Sequence, residues 1–175
     1  MDSQAGLQCF LQATEINAAV VRLASEITRD YRGKNPVLIG ILKGSFVFMA
    51  DLVRQLDFPL EIDFVRLASY GDNRQTTGQV EVKLDIGIDV RNRHLLVVED
   101  IVDTGLTVSF LMDHLKKREP ASIKLCALTD KSARRQVPVA IDYLGFTVPD
   151  SFLVGYGLDC AGKYRNLPDI CILDG

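Results

Sequence analysis

The most chemically loaded stretch of the chain is Val97 to Thr107, VVEDIVDTGLT. Two adjacent carboxylates, Glu99 and Asp100, close an apolar run, and a short polar turn then carries Asp103, Thr104, Gly105 and Thr107. Such a turn, leading into a helix, offers unpaired N–H groups and the positive end of the helix dipole, and Gly105 lets the backbone close around an anion. The hydroxyls of Thr104 and Thr107 add donors, so one phosphate group fits. Carboxylates beside a phosphate are out of place unless the ligand also brings donors. Neighbouring sugar hydroxyls are such donors, and carboxylates, which only accept, hold them. Each residue alone reads more simply as a solvated strand end or a helix cap; the whole string selects a ribose 5-phosphate.

Lys43 and Gly44 form a second cluster. They follow the apolar run Val37 to Leu42, VLIGIL, and set backbone N–H groups beside one ammonium, a grip suited to a pyrophosphate. Other nucleotide signatures fail. The third glycine after the GYG of Gly155 to Gly157 falls at position 162, which breaks the dinucleotide spacing, and no G-x-x-x-x-G-K-[ST] string occurs. The four cysteines, Cys9, Cys126, Cys160 and Cys171, include no Cys-x-x-Cys pair, and there are only two histidines, so zinc-ligand spacing is absent. Buried reduced thiols are expected.

These residues need elements to hold them. Ile16, Val20, Leu23, Ile27 and Tyr31 recur at steps of three and four, which predicts a helix over Thr14 to Tyr31, capped by Thr14 and closed by Gly33. Val37 to Leu42 suits a strand buried on both faces. A helix is expected over Phe46 to Leu56. Next comes a strand over Leu60 to Ser69, in which Leu60, Ile62 and Phe64 alternate with charged residues. Tyr70 to Gln79 is polar and aperiodic, and reads as a mobile loop. Val80 to Leu84, His94 to Val98, Ile123 to Leu128 and Val139 to Leu144 complete the strand candidates, with a helix around Val108, Leu111, Met112 and Leu115. Alternating strands and helices predict an α/β fold, a mostly parallel sheet flanked by helices, in one domain spanning 1–175.

The 175 residues, 47% apolar and 25% charged, have the balance of a soluble globular protein. A net charge of −3 with dispersed basic residues argues against broad binding to nucleic acid or acidic membrane. The N-terminus lacks the pattern of a signal peptide, and no apolar run approaches a membrane span, so the expected compartment is the cytoplasm.

The Val97–Thr107 string resembles the phosphoribosyl pyrophosphate signature of type I phosphoribosyltransferases, and from about Ile39 to Leu173 the chain is similar to the hypoxanthine (hypoxanthine-guanine) branch of that family. LKGS, Leu42 to Ser45, resembles the family's pyrophosphate loop, and Ser69-Tyr70 the start of its catalytic lid. Lys131 with Arg135 resembles its base-recognition lysine and a following arginine. Phe152 to Arg165, FLVGYGLDCAGKYR, resembles its purine-stacking and metal-binding tail. The resemblance implies a small hood built from the terminal segments, a Leu42–Lys43 peptide that can be cis, and a homodimer or homotetramer.

It also implies a reaction: transfer of the 5-phosphoribosyl group from phosphoribosyl pyrophosphate to N9 of a 6-oxopurine, with Mg2+. In that reaction Glu99, Asp100, Asp103, Thr104, Gly105 and Thr107 hold the ribose phosphate, and Asp103 is the general acid/base. Lys43, Gly44 and Arg165 take the pyrophosphate. Lys131, Phe152, Leu153 and Asp159 take the base, and Asp159, Glu99 and Asp100 lie at the metal. Lys131 is a donor and suits a 6-oxo group, which speaks against adenine. Position 106 is leucine where several relatives carry a basic or polar residue, and Ala161-Gly162-Lys163 replaces bulkier or acidic residues. A fold relative that binds RNA as a regulator would show a clustered basic face, and this chain has none.

Overall fold

The computed structural model describes residues 6–69 and 80–173. Strand β1 (Leu7–Leu11) leads into helix α1 (Ala13–Tyr31), then β2 (Val37–Leu42), α2 (Phe46–Arg54), β3 (Glu61–Ser69) and β4 (Val80–Leu84). The second half runs β5 (His94–Val102), α3 (Leu106–Lys116), β6 (Ser122–Asp130), β7 (Tyr143–Thr147), β8 (Leu153–Val154) and β9 (Ile170–Leu173). The expected loop over Tyr70 to Gln79 lies outside the described residues.

Six strands form the main sheet in the order β4-β3-β2-β5-β6-β7; β2, β3, β5, β6 and β7 run parallel and only β4 is antiparallel to its neighbour. Both faces are covered. Side chains of α1 and α2, among them Ile16, Leu23, Ile27, Phe48 and Leu52, pack on Leu38, Leu96 and Val98. On the other face Val108, Leu111 and Leu115 of α3 pack on Val37, Ile39, Leu95 and Val97. Strict alternation along β2 and β5 therefore feeds two cores, which is why both strands read as unbroken apolar runs. The two ends of the chain meet in a second, antiparallel sheet ordered β1-β9-β8. This is the expected hood.

Several boundaries differ from expectation. Thr14 does not cap α1. Gln12 does, its N–H donating to Glu15 at 2.8 Å, while Ala13 N–H donates to Asp169 at 2.7 Å. Two carboxylates satisfy the orphan donors better than one hydroxyl, and the second comes from the far end of the chain. Helix α2 stops at Arg54, two residues short of Leu56. Ile62 is left 40% exposed, because the apolar cluster takes in Leu60 and Phe64 and not it. The last strand of the sheet is Tyr143–Thr147 rather than Val139 to Leu144; residues 136 and 137 instead donate to Thr104 O, so this segment wraps the β5–α3 turn before it joins the sheet.

Asp30, near the end of α1, accepts from Lys124 at 2.8 Å and from the Tyr143 hydroxyl at 2.6 Å. The lysine and tyrosine hydrogen bonds pull its pKa from 3.8 to about 2 against the opposing effect of burial. A group with a lowered folded-state pKa contributes stability above its unfolded value and loses it as pH falls. Asp30→Asn is therefore expected to cost stability in urea unfolding at pH 5, with the gap to wild type closing between pH 3.8 and about 2. A gap that stays constant over that window excludes the charged pairing.

Candidate active site

Strand β5 runs four residues past Val98, so Glu99 and Asp100 lie within the strand rather than beyond it. Pairing with β6 continues through Glu99↔Ala127, Ile101↔Thr129 and Val102↔Asp130. Both acids are buried, 8% and 6% exposed. Burial, reinforced by the neighbouring Asp100 charge, holds the Glu99 carboxyl well above its ordinary pKa. Burial also raises Asp100, and its hydrogen bond with Glu99, nearby backbone N–H groups and the charge of Arg165 oppose that rise. Glu99 Oε2 is buried with no hydrogen-bond partner. A buried carboxyl oxygen left without a partner in this way is poised for a hydroxyl donor or a cation.

The turn between β5 and α3 encloses a cavity of about 100 Å³ lined by Glu99, Asp103, Thr104, Gly105 and Thr107. Gly105 is the helix N-cap at φ +86°, a conformation that favours glycine, and a Cβ there would meet Val137 O at 2.7 Å. Leu106 N–H donates to Thr104 Oγ1 at 3.4 Å, which closes the turn locally. Asp103 Oδ1 is buried without a hydrogen-bond partner, and Oδ2 lies 3.5 Å from Arg134. A phosphate-sized hollow and a free carboxylate acceptor therefore share one turn.

The Lys43-Gly44 loop reaches the same place from β2. The Leu42–Lys43 peptide is cis, and Lys43 is exposed. A Cβ on Gly44 would overlap the Asp100 carboxylate, and a Cβ on Gly157 would overlap Gly44 O. The three backbone segments thus meet with no room for a methyl group. Tyr156 holds the third of them in place, its hydroxyl donating to Asp51 of α2 at 2.6 Å. Gly44→Ala is expected to lower kcat/KM for a phosphoribosyl donor by at least ~10²-fold, the scale on which ångström-level misplacement acts. Steady-state kinetics decide it, and a near wild-type value means that the acid moves aside freely.

Lys131 follows the last residue of β6 and is 5% exposed, so it is not a solvated turn lysine. Its Nζ donates to Ser151 O at 2.7 Å, which spends one of its three protons on the residue before Phe152. The Phe152 ring is 54% exposed, whereas Leu153 is buried in β8. An exposed aromatic ring on the residue after the carbonyl that a buried ammonium holds suits a flat ligand that carries an acceptor at its edge.

Asp159 lies on the tail loop between β8 and β9. Its carboxylate holds Arg165 at 2.6 Å and the Gly162 N–H at 2.7 Å, and among the described residues no three potential metal ligands converge. With Arg165 on it, the Asp159 carboxylate is paired in this structure, while Glu99 and Asp100 lie on β5. Glu99 and Asp100 remain a fitting donor set for Mg2+: hard carboxylate oxygens, one of them unpaired, in a number that leaves room for water and phosphate oxygens. Ser69 ends β3, and Tyr70 lies outside the described residues. Sequence reasoning missed three further contributors. Thr129 donates to Asp100 O at 2.7 Å, Gly157 abuts Gly44, and Asp130 pairs with Arg135. Thr129 and Gly157 have no local signal, since each acts on a residue far away in the chain, and the Asp130–Arg135 pair spans five residues at the end of β6.

Residues 10–161 match the family model of the phosphoribosyl transferase domain. The chain is 48% identical over 159 residues to the hypoxanthine-guanine phosphoribosyltransferase of Streptococcus pneumoniae, covering 91% of this chain and 88% of that one. It is 44% identical over 161 residues to the hypoxanthine phosphoribosyltransferase of Haemophilus influenzae, covering 90% of each. A crystal structure of a hypoxanthine phosphoribosyltransferase from Staphylococcus aureus superposes with a TM-score of 0.94 at 38% identity, over 99% of this chain and 96% of that one. Sequence and backbone agree along nearly the whole length, and the chain belongs to the phosphoribosyltransferase family.

Proposed function

We propose that this single-domain protein is a purine salvage enzyme that transfers the 5-phosphoribosyl group from phosphoribosyl pyrophosphate to N9 of hypoxanthine, and of guanine, giving IMP or GMP and pyrophosphate. The observation that carries the reading is the meeting of the buried Glu99–Asp100 pair with the Gly44 loop on one side and the Asp103–Thr107 hollow on the other. A sugar held between a 5-phosphate and a pyrophosphate needs that order of groups. The named relatives from three bacteria support the same reaction.

In this reading the N–H groups and hydroxyls of the Asp103–Thr107 turn grip the 5-phosphate. Glu99 and Asp100 accept from the ribose hydroxyls and so orient C1. The transition state has the character of a sugar cation, and Lys43 and Arg165 stabilise the negative charge that grows on the departing pyrophosphate. For Arg165 to do so it leaves Asp159, its present partner. Phe152 stacks on the purine, the Leu153 backbone reads its edge, and Lys131 donates to O6. Asp103 takes the N7 proton as N9 gains its bond to C1. Glu99 and Asp100, joined by Asp159 once Arg165 has moved, would hold Mg2+, which when bound supplies positive charge beside the pyrophosphate oxygens. Ser69 and Tyr70 belong to the segment that excludes water. The same proposal includes a cytoplasmic homodimer or homotetramer; no described helix is long and apolar enough to cross a membrane.

The test supplies phosphoribosyl pyrophosphate, Mg2+ and each purine base separately, and measures nucleotide and pyrophosphate. Hypoxanthine and guanine are expected to react and adenine to fail. Absence of pyrophosphate with every base removes the proposal.

A further inference from the structure

Arg135 is not among the residues that line the β5–α3 cavity, yet its guanidinium makes several polar contacts at that turn. Its Nε donates to Asp103 O at 3.0 Å and its Nη2 to Val102 O at 3.4 Å, while the same guanidinium pairs with the Asp130 carboxylate. The two charged side chains are 17% and 14% exposed. Val102 O also accepts from Lys131 N–H at 2.9 Å, and Thr104 O accepts from Gln136 and Val137 N–H at 2.9 and 3.2 Å. The Arg135 stem lies 3.0 Å from where a Cβ on Gly105 would stand. Residues 130–137 therefore form a brace along the back of the β5–α3 turn, and its second residue, Lys131, is the one proposed to bind the base.

We propose that Arg135 is a positioning residue that holds the Asp103–Gly105 turn and the Lys131 turn in one rigid frame, so that the proton acceptor, the 5-phosphate and the base arrive in register. The inference rests on the reaction proposed above. A planar guanidinium with fixed donors spans a carboxylate and two carbonyls at once; an ammonium keeps the ion pair but not that reach. Asp130 aims the guanidinium and neutralises it, so that a buried cation can face two carbonyls. Neither side chain touches substrate in this reading. Both act through the backbone at positions 102 and 103.

Arg135→Lys is the discriminating variant, because it retains the charge that Asp130 requires. Its kcat is expected to fall ~10- to 10²-fold, the size of effect that small displacements of reacting groups produce, while KM for hypoxanthine changes little. Its thermal midpoint should stay near that of wild type. The double variant Asp130→Leu with Arg135→Leu leaves no ion stranded and should stay folded, yet remain slow. A purely structural brace predicts the opposite: full turnover in any variant that folds. Either variant turning over within about twofold of wild type overturns the positioning role. Should Arg135→Lys fail to fold, the double variant decides alone. Wild-type turnover, measured alongside, separates the two claims. An active wild type with an equally active variant overturns the positioning role only, whereas an inactive wild type overturns the reaction and the positioning role together.

Discussion

Asp103→Asn lowers turnover by ~10²–10⁴-fold, the usual worth of general acid/base catalysis, and weakens binding of phosphoribosyl pyrophosphate far less. The two halves of that expectation come from different atoms of one residue. The backbone carbonyl of Asp103 receives Arg135, and the asparagine variant keeps it. In the proposed reaction the phosphate grip belongs to the backbone and hydroxyls of the turn that follows, which the substitution also leaves alone. What changes is the side chain. Oδ1 is buried and without a hydrogen-bond partner, an arrangement that costs stability and so calls for a use of that oxygen. An amide of the same shape fills the space but cannot take a proton. Pre-steady-state turnover and the Kd for phosphoribosyl pyrophosphate separate chemistry from binding. A variant with near wild-type turnover would show that Asp103 only shapes the turn.

Lys131→Met is expected to abolish most activity on hypoxanthine and guanine and to narrow the margin over adenine. A 6-oxopurine presents an acceptor at C6 and adenine an amino donor, and an ammonium only donates. A hydrogen bond to a charged group is worth about 1.5–3 kcal/mol net, and an unsatisfied buried partner costs a similar amount. Wild type should therefore reject adenine by at least ~10²-fold in kcat/KM. Lys131 also tethers Ser151 O at 2.7 Å, directly before Phe152. The variant then loses both the donor to O6 and one anchor of the stacking ring, so its loss on hypoxanthine exceeds what the missing hydrogen bond alone would cause. Methionine keeps the apolar stem, and thermal unfolding checks that the domain survives. An unchanged hypoxanthine-to-adenine ratio would place base selection elsewhere.

Much of this site was legible from residue order alone. The string from Glu99 to Thr107 is local: an acid pair, a turn and a helix start within a few residues, so its chemistry follows from composition and spacing without knowledge of the fold. The same holds for α1, whose apolar positions repeat at the helical period, and for β2 and β5, whose unbroken apolar runs require cover on both faces. Alternation of such segments sufficed for a mostly parallel α/β sheet.

Only the tertiary structure decided the rest, because the deciding partners are remote in the chain. Charged residues ordinarily end a strand, yet β5 continues through Glu99 and Asp100 because β6 lies alongside and the Thr129 hydroxyl donates to the Asp100 carbonyl. Val139 to Leu144 has the composition of a strand, but the segment just before it is engaged with the phosphate turn, and pairing starts only at Tyr143. The cap of α1 involves Asp169, at the opposite end of the chain. Asp159 meets Arg165, a pairing settled by the path of the tail loop. Arg135 shows the limit most plainly: in sequence it is marked only by its resemblance to the family's arginine after the base-recognition lysine, and its grip on Val102 and Asp103 exists only because β6 runs parallel to β5 and ends beside it. Local periodicity encodes which face of an element is apolar; it carries no record of which distant backbone group a side chain will meet.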